Sequence, residues 1–277
     1  MNLNLRNKIM GAIYGFAIGD AMGATTEFME PKQIKKKYGI LQNIIGGGWL
    51  NLKAGEVTDD TQMTMCVMNA IMNKPNDVDE FKRFCSTAFI NWLNSGPKDI
   101  GNMCLKSICR LKRNETIPYD CYALGNGSLM RAMPLAILNL PYYNFAQGRL
   151  THNNDTCSDI ILGYTRLIQF YLNNDYNNNY TYQEMVQKTN LLEPTGHVEN
   201  TFNNAVYWSL KDSFTKAIVG AVNHGGDADT IAAITGSLAG AKFGYYNIPK
   251  RWINQLNPDV KASLKKFAVF CFECLQI

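Results

Sequence analysis

The chain has 277 residues, 46% of them hydrophobic, so it can bury a substantial core as one domain or two small ones. Charged residues make up 18% of the chain and the formal net charge is +4, a balance that points to no particular partner. The densest basic run, Lys35-Lys36-Lys37, is too short for a nucleic-acid-binding tract and is typical of a solvated helix face.

The start of the chain superficially resembles a signal peptide, because Arg6 and Lys8 precede an apolar stretch over residues 9–19. That stretch is interrupted by glycines and followed at once by Asp20 and Glu27, which argues against a targeting signal. No apolar run approaches the length needed to cross a bilayer. The eight cysteines follow no disulfide-framework spacing, which suits a reducing compartment. We therefore expect a cytoplasmic monomer with no membrane or nucleic-acid partner.

Helical periodicity dominates the chain and predicts its elements in order. Apolar residues recur at helical spacing over residues 9–22, 61–72, 81–93, 100–111, 129–138, 160–172, 217–222 and 231–243. Strict strand alternation is missing, and residues 40–45 form at most a short extended piece. Residues 173–182, rich in Asn and Tyr, are predicted to be a surface loop. The pattern favours an all-α fold of many short helices, in a single domain over residues 1–277.

Two of the predicted helices carry glycine at every fourth position. These glycines are Gly11, Gly15, Gly19 and Gly23 in the first helix, and Gly236, Gly240 and Gly244 in the later one. Glycine costs about 1 kcal/mol relative to alanine inside a helix, so its repeated use needs a compensating interaction. Stacked in this way, the glycines form smooth stripes that let another backbone approach closely. We predict two tightly packed central helices, which would hold the neighbouring carboxylates rigidly.

Two acidic clusters stand at the starts of predicted helices, far apart in the chain. They read Thr58-Asp59-Asp60-Thr61 and Asp227-Ala228-Asp229-Thr230. Carboxylates and hydroxyls are hard oxygen ligands, so the two groups would hold Mg²⁺, Mn²⁺ or Ca²⁺ if the fold made them face each other. Taken alone, the first cluster is better explained by helix capping, because Asp59 and Gln62 fit a capping box. In the second, Asp227 or Asp229 could be an N-cap, although two carboxylates and a hydroxyl exceed what one cap needs.

Two further segments could contact a ligand. Small residues from Gly125 to Ser128 open a predicted helix, where free backbone N–H groups and the positive end of the helix dipole could hold a phosphate. The Gly-Lys-Ser/Thr ending of a P-loop is absent, so a bare glycine turn remains an equal alternative. His152 follows Arg149-Leu150-Thr151, and its segment lacks the carboxylate partner that marks a general base.

In this order and spacing, the segments resemble the ADP-ribosylglycohydrolase family, whose founding members remove ADP-ribose from arginine. The resemblance spans nearly the whole chain and rests on residues 19–28 (GDAMGATTEF), 55–62 (GEVTDDTQ), 125–134 (GNGSLMRAMP), 149–152 (RLTH) and 225–240 (GGDADTIAAITGSLAG). It implies a single compact, orthogonal multi-helix domain with a central dinuclear site for two Mg²⁺ or Mn²⁺ ions. It also implies a hydrolase that releases ADP-ribose from a protein side chain or a small conjugate.

Carried over residue by residue, the resemblance assigns roles to the chain's own residues. The implied metal ligands are Thr58, Asp59, Asp60, Asp227, Asp229 and Thr230. Glu27 matches an acidic residue that works beside the metals, in coordination or in proton transfer. The residues implied to bind the substrate are Gly125, Asn126, Gly127, Ser128 and Met130 in the segment that holds the pyrophosphate, His152, and Gly101. Asp99 and Gly101 lie in residues 95–102, which resemble a loop over the scissile ribose, so Asp99 could meet the leaving group.

These roles support a hydrolytic mechanism through a transition state with oxocarbenium character. Our hypothesis is that a water activated by the two metal ions attacks the anomeric carbon. Glu27, or a metal-bound aspartate such as Asp59 or Asp60, would position or deprotonate that water, and Asp99 or another water would protonate the leaving group.

One segment departs from the family pattern, and three alternatives stay open. His197 and Glu199 stand where a more apolar segment is expected, usually with an aromatic residue after the glycine, which changes the wall facing the substrate. A different leaving group, such as serine or an O-acetyl conjugate, is the first alternative. The second is a non-catalytic ADP-ribose binder, which the presence of all six ligands and Glu27 disfavours. The third, a Ca²⁺-stabilised helical protein, would leave the turn over residues 125–131 unexplained.

Overall fold

The computed structural model describes residues 2–173, 186–187 and 189–277, and helices account for its architecture. In chain order they are α1 (Leu3–Gly23), α2 (Pro31–Tyr38), α3 (Asp59–Met72), α4 (Val78–Asn94), α5 (Asn102–Lys112), α6 (Met133–Ile137), α7 (Pro141–Arg149), α8 (Asp155–Asn173), α9 (Val198–Ser209), α10 (Phe214–His224), α11 (Ala228–Phe243), α12 (Lys250–Gln255) and α13 (Pro258–Cys274). Two 3₁₀ helices cover Asn126–Arg131 and Tyr245–Asn247. Over these ranges, extended pairing is limited to isolated bridges of Gly47 with Leu52 and of Gly125 with His197, so the predicted all-α fold is confirmed.

The two glycine-striped helices, α1 and α11, run antiparallel in close contact at the centre of the molecule, and most of their residues are buried. A Cβ atom on Gly15 would overlap the carbonyl oxygen of Gly236, and a Cβ on Gly236 would overlap that of Gly15. Only glycine permits this approach, so the predicted close packing of the two helices is confirmed. Gly244 lies at the C-cap of α11 in a positive-φ conformation, with φ of 82°, and its backbone still packs against Gly11.

The remaining helices surround this central pair and share one hydrophobic core with it. Helices α9 and α10 pack on α11, while α3 packs against α4 and reaches α1 at its N-terminal end. Within the described ranges, every helix is either too short or too polar to cross a bilayer. The antiparallel packing of α1 and α11 matters for function because it places the C-terminal end of α1 beside the N-terminal end of α11.

The structure differs from the predicted elements at several places. Residues 129–138 do not form one helix, because Pro134 has no N–H to donate to the carbonyl of Met130; that carbonyl accepts from the Thr64 hydroxyl at 2.9 Å. Helices α2, α7, α9, α12 and α13 lie outside the segments that periodicity located. The loop predicted over residues 173–182 falls on the end of α8 at residue 173 and otherwise lies outside the described residues.

Candidate functional site

The C-terminal end of α1 and the N-terminal ends of α3 and α11 meet at one cavity of about 260 Å³. Both acidic clusters reach it, although they come from distant parts of the chain. The acidic and hydroxyl residues in its wall are Glu27, Asp59, Asp60, Asp99, Asp227, Asp229 and Thr230. Two helix N-termini add their positive dipole ends at the same place, which favours grouped carboxylates.

Close distances link the two clusters within this cavity. Glu27, Asp227 and Asp229 each offer a carboxylate oxygen, and these oxygens lie within 4.8 Å of one another. The Thr230 hydroxyl lies 3.5 Å from Asp60 Oδ1 and 3.4 Å from Asp227 Oδ1. A single cation could therefore touch ligands from both clusters.

Two carboxylate oxygens in the cavity lack partners. Asp60 Oδ2 and Asp229 Oδ1 are buried and have no hydrogen bond within the described part of the chain. Unpaired buried oxygens of this kind are costly, and native proteins seldom leave them unsatisfied. A divalent cation with oxygen ligands would satisfy both, so these residues fit a hard metal ion such as Mg²⁺ or Mn²⁺.

The electrostatics of the cavity agree with that fit. Burial raises the pKa of Glu27 to about 9 and that of Asp59 to about 8, and neighbouring carboxylates add to both shifts. Burial, reinforced by like charges, holds the pKa of Asp60 and of Asp229 well above the ordinary range. Without a cation, the folded protein therefore resists carrying the full negative charge of this cluster.

Neither acidic cluster caps its helix in the predicted way. The N-cap of α3 is Thr58, whose hydroxyl accepts from the Asp60 N–H at 3.3 Å, so the capping box of Asp59 and Gln62 is wrong. The Gln62 amide instead donates to the Val57 carbonyl at 3.2 Å. Asp227 stands at the N-cap position of α11, but its side chain makes no capping bond and accepts from the Asn126 amide.

Asp20 holds the first cluster in place, a role that the sequence alone did not indicate. Its buried carboxylate accepts the backbone N–H of Thr58 at 3.0 Å and that of Thr61 at 3.0 Å. The end of α1 is thereby fixed to the start of α3 by charge-assisted hydrogen bonds. The available signal was an acidic residue inside an otherwise apolar, glycine-striped helix.

The predicted substrate-binding residues lie in the same cavity wall, with one exception. Gly101, Gly125, Asn126, Gly127, Met130 and His152 line it, whereas Ser128 is fully buried behind it. The His152 ring packs closely against the turn. A Cβ atom on Gly127 would lie 2.7 Å from His152 Cε1. Burial, with the nearby Arg131 charge, lowers the pKa of His152 to about 3, so the ring is neutral at physiological pH.

The glycine turn itself differs from the expected helix start. Residues Asn126–Arg131 form a 3₁₀ helix, and the Asn126 N–H is already donated to the Gly196 carbonyl at 3.0 Å. Gly196 lines the cavity, while His197 begins α9 with its side chain 37% exposed. The departure from the family pattern at His197 and Glu199 therefore lies beside the cavity wall rather than in it.

Sequence reasoning missed an aromatic pair beside Glu27: Phe28 lines the cavity, and Trp49 lines an adjacent one. The Trp49 Nε1–H donates to Glu27 Oε2 at 2.6 Å, and its ring lies 5.5 Å from that of Phe28. Phe28 is 67% exposed and has a φ of 59°, a strained conformation for a bulky side chain. Strain and exposed aromatic surface next to a buried acid are typical of functional sites.

Comparison with known proteins identifies the family. A profile of the ADP-ribosylglycohydrolase family matches residues 1–273. The chain belongs to the ADP-ribosylglycohydrolase family. Members of this family are hydrolases, so the cavity described above is the candidate active site of an enzyme.

Individual relatives agree with this assignment. The ADP-ribosyl-(dinitrogen reductase) glycohydrolase of Rhodospirillum rubrum is 32% identical, with 95% of each chain covered. The ADP-ribosylarginine hydrolase Tri1 of Serratia proteamaculans is 28% identical over 90% of this chain and 75% of its own length. A solved ADP-ribosylglycohydrolase-related protein complex superimposes with a TM-score of 0.82 at 23% identity, covering 98% of this chain and 99% of the other. That last match supports the ADP-ribosylglycohydrolase fold.

Proposed function

We propose that this protein is a metal-dependent hydrolase that cleaves the glycosidic bond between ADP-ribose and an acceptor, releasing ADP-ribose. One observation carries the proposal: the cavity that gathers the buried carboxylates of both clusters is also lined by Gly125–Met130 turn residues and by His152. A hard-metal site and a wall suited to a phosphate-bearing ligand thus share one cavity.

Two Mg²⁺ or Mn²⁺ ions would be held by Asp59, Asp60, Asp227, Asp229 and Thr230, with Glu27 beside them. The unpaired oxygens of Asp60 and Asp229 support this ligand set. Thr58 was also among the implied ligands, and its hydroxyl is engaged with the Asp60 N–H, which leaves one lone pair for a cation. Such ions, when bound, supply Lewis acidity and orient the ribose hydroxyls.

The protein's own residues would position the reacting groups. Glu27, held by the Trp49 N–H, would orient the attacking water. Because its pKa is about 9 without metal, Glu27 could deprotonate that water only when bound cations stabilise its charged form. Asp99, in the cavity wall beside Asp59, would donate a proton to the leaving group. Burial raises the pKa of the Asp99 carboxyl, which favours the protonated form that this role needs. His152 is neutral, because its pKa is lowered, and can hydrogen-bond to the ADP-ribose without adding a positive charge beside the metal ions.

Arginine is the acceptor that we favour. The relative from Serratia proteamaculans is named as an ADP-ribosylarginine hydrolase, and that name describes the activity of the relative only. The exposed Phe28–Trp49 pair lies beside Glu27, where a planar guanidinium could stack on aromatic rings next to an acid.

The shared core and the free cysteines also bear on the number of domains and on the cellular compartment. We propose that residues 1–277 act as one domain, supported by the shared hydrophobic core of the described helices. All eight cysteines are unpaired, which supports a reducing compartment such as the cytoplasm.

Incubation with a panel of substrates tests the reaction and the linkage together. The purified protein is mixed with Mg²⁺ or Mn²⁺ and with arginine-, serine- and O-acetyl-linked ADP-ribose and ADP-ribosylated nucleic-acid ends, and free ADP-ribose is quantified. We expect release from the arginine conjugate, loss of release with a chelator, and recovery when the metal is restored. Tight ADP-ribose binding without release from any conjugate would instead favour the non-catalytic binder, and activity that survives chelation would rule out the metal mechanism.

A further inference from the structure

Arg131 is a fully buried cation behind the cavity wall, and every N–H of its guanidinium has an acceptor. The Nε atom donates to the Gln147 side-chain oxygen at 2.7 Å. One terminal nitrogen donates to the Gly127 carbonyl and the Cys104 sulfur, and the other to the Gln147 carbonyl at 3.0 Å and the Thr151 hydroxyl at 2.6 Å. All five donors are therefore used.

The acceptors around Arg131 are neutral, which is unusual for a buried charge. In the described part of the chain, no carboxylate accepts a hydrogen bond from this guanidinium, and its carbon lies 4.9 Å from the centre of the Phe89 ring. Buried charges are normally paired, because an unpaired one loses its hydration without recovering it.

Three of these contacts lead directly to residues that line the cavity. Gly127 and Cys104 are themselves in its wall, and the Thr151 hydroxyl that accepts from Arg131 is 2.9 Å from His152 Nδ1. Arg131 does not line the cavity, since its side chain is 0% exposed. Its positive charge nevertheless acts on the wall, because it contributes to the lowered pKa of His152.

We propose that Arg131 is a positioning residue whose buried positive charge favours the binding of a diphosphate-bearing ligand in the cavity. It shapes the wall through Gly127 and Thr151, and it gives that wall a positive potential without touching the ligand. The inference rests on the proposed function, in which the ligand carries a pyrophosphate. A purely structural role would need the hydrogen bonds of Arg131 but not its charge.

The experiment compares a diphosphate ligand with a neutral one. Dissociation constants of ADP-ribose and of adenosine are measured by calorimetry, with Mg²⁺ present, for the wild-type protein and three variants. Arg131→Met removes the charge, Arg131→Lys keeps it, and Phe89→Leu loosens the packing under Arg131 while leaving the charge in place. Circular dichroism and thermal melting establish how much each variant is destabilised.

We expect Arg131→Met to weaken ADP-ribose binding roughly tenfold or more while changing adenosine binding less than about twofold. Arg131→Lys and Phe89→Leu are expected to keep the wild-type preference for ADP-ribose. Equal weakening of both ligands by Arg131→Met would overturn the proposal, and so would loss of the preference in Arg131→Lys. If Arg131→Met does not fold, the Lys variant alone decides the question. A wild-type protein with no preference for ADP-ribose would contradict the proposed function itself.

Discussion

Within the described part of the chain, the Glu27 carboxylate accepts one hydrogen bond, from the indole N–H of Trp49. Its carboxyl is buried and accepts from Trp49 at 2.6 Å, and this hydrogen bond opposes the rise in pKa that burial causes. Oxygen atoms of Asp227 and Asp229 lie within 4.8 Å of the same carboxyl. The position of one side chain is thus set by a residue from a different loop, which a motif search over residues 19–28 could not reveal.

Trp49→Phe tests the hydrogen bond between the Trp49 indole and Glu27. The variant keeps an aromatic ring beside Phe28 but removes the donor to Glu27, so we expect kcat to fall about tenfold while KM changes little. Steady-state kinetics on an ADP-ribosylarginine substrate give both constants. Trp49→Ala serves as the comparison, since it also removes the ring and is expected to raise KM. A Phe variant with unchanged kcat would show that the indole N–H is not required.

The Asp229 carboxylate is expected to favour metal binding but to lower the stability of the metal-free fold. Its carboxylate is buried, has one unpaired oxygen and is surrounded by like charges. Such a group destabilises the metal-free fold but binds a cation strongly when one is supplied.

Asp229→Asn is expected to abolish hydrolysis and to weaken Mg²⁺ or Mn²⁺ binding. Because the variant removes a buried like charge, its metal-free form should melt at a higher temperature than the metal-free wild type, with unchanged helical circular dichroism. Titration calorimetry and thermal melting measure the two effects. The exposed Asp79→Asn is the matched control and is expected to change neither. Full activity in the Asp229 variant would remove this residue from the mechanism.

At the scale of elements, the antiparallel packing of α1 and α11 determines where Glu27 and Asp229 lie relative to each other. The end of α1 leads to Asp20 and Glu27, and α11 begins at Ala228, directly before Asp229. Because the glycine stripes bring the two backbones into contact, there is no side-chain layer that could adjust if one helix moved. The packing of two helices thereby fixes the spacing between the carboxylates.

Gly236→Ala tests this coupling. A Cβ at this position would overlap the Gly15 carbonyl, which is backbone and cannot turn away, so we expect a loss of about 2 kcal/mol or more in the free energy of unfolding. Metal affinity should fall in the folded fraction as well, because the two helices must separate. Gly101→Ala is the control for stability: no atom lies within 4 Å of a Cβ there and φ is −62°. A Gly236→Ala variant as stable as wild type would contradict the close packing.

For the molecule as a whole, the buried acids make stability depend on pH and on metal. Burial raises the pKa of Asp20 and of Asp227 to about 6, that of Asp59 to about 8 and that of Glu27 to about 9. The ordinary values are 3.8 for Asp and 4.5 for Glu, so the folded protein binds more protons than the unfolded chain between these limits. Under that condition the free energy of unfolding decreases as the pH rises.

We therefore expect the metal-free protein to lose stability progressively from about pH 4 to about pH 9, with the loss reduced when Mg²⁺ or Mn²⁺ is added. Thermal melting at several pH values, in chelator and in excess metal, measures this dependence. Asp229→Asn should flatten the metal-free curve, since one acid has been removed. A metal-free protein that becomes more stable over this range would show that the carboxylates are not buried together.

The sequence predicted much of this fold, and the exceptions have identifiable physical causes. Helical periodicity located α1, α3, α4 and α11 because their apolar residues face a common core. It failed over residues 129–138, where Pro134 and a hydroxyl from α3 end the hydrogen-bonding pattern. Helix α9 was missed although Val198, Phe202 and Ala205 have helical spacing, since polar residues between them weaken the pattern.

What the sequence determined by itself was the chemistry available: two acidic clusters, two glycine-striped helices, a glycine turn and a family resemblance in their order. Only the tertiary structure decided that Thr58 caps α3, that Asp20 holds the cluster, that Ser128 and Arg131 lie behind the wall, and that Trp49 donates to Glu27. The reason is physical. Residue types and local spacing follow from the sequence, whereas burial, loss of hydration and contacts between distant segments exist only once the chain has folded.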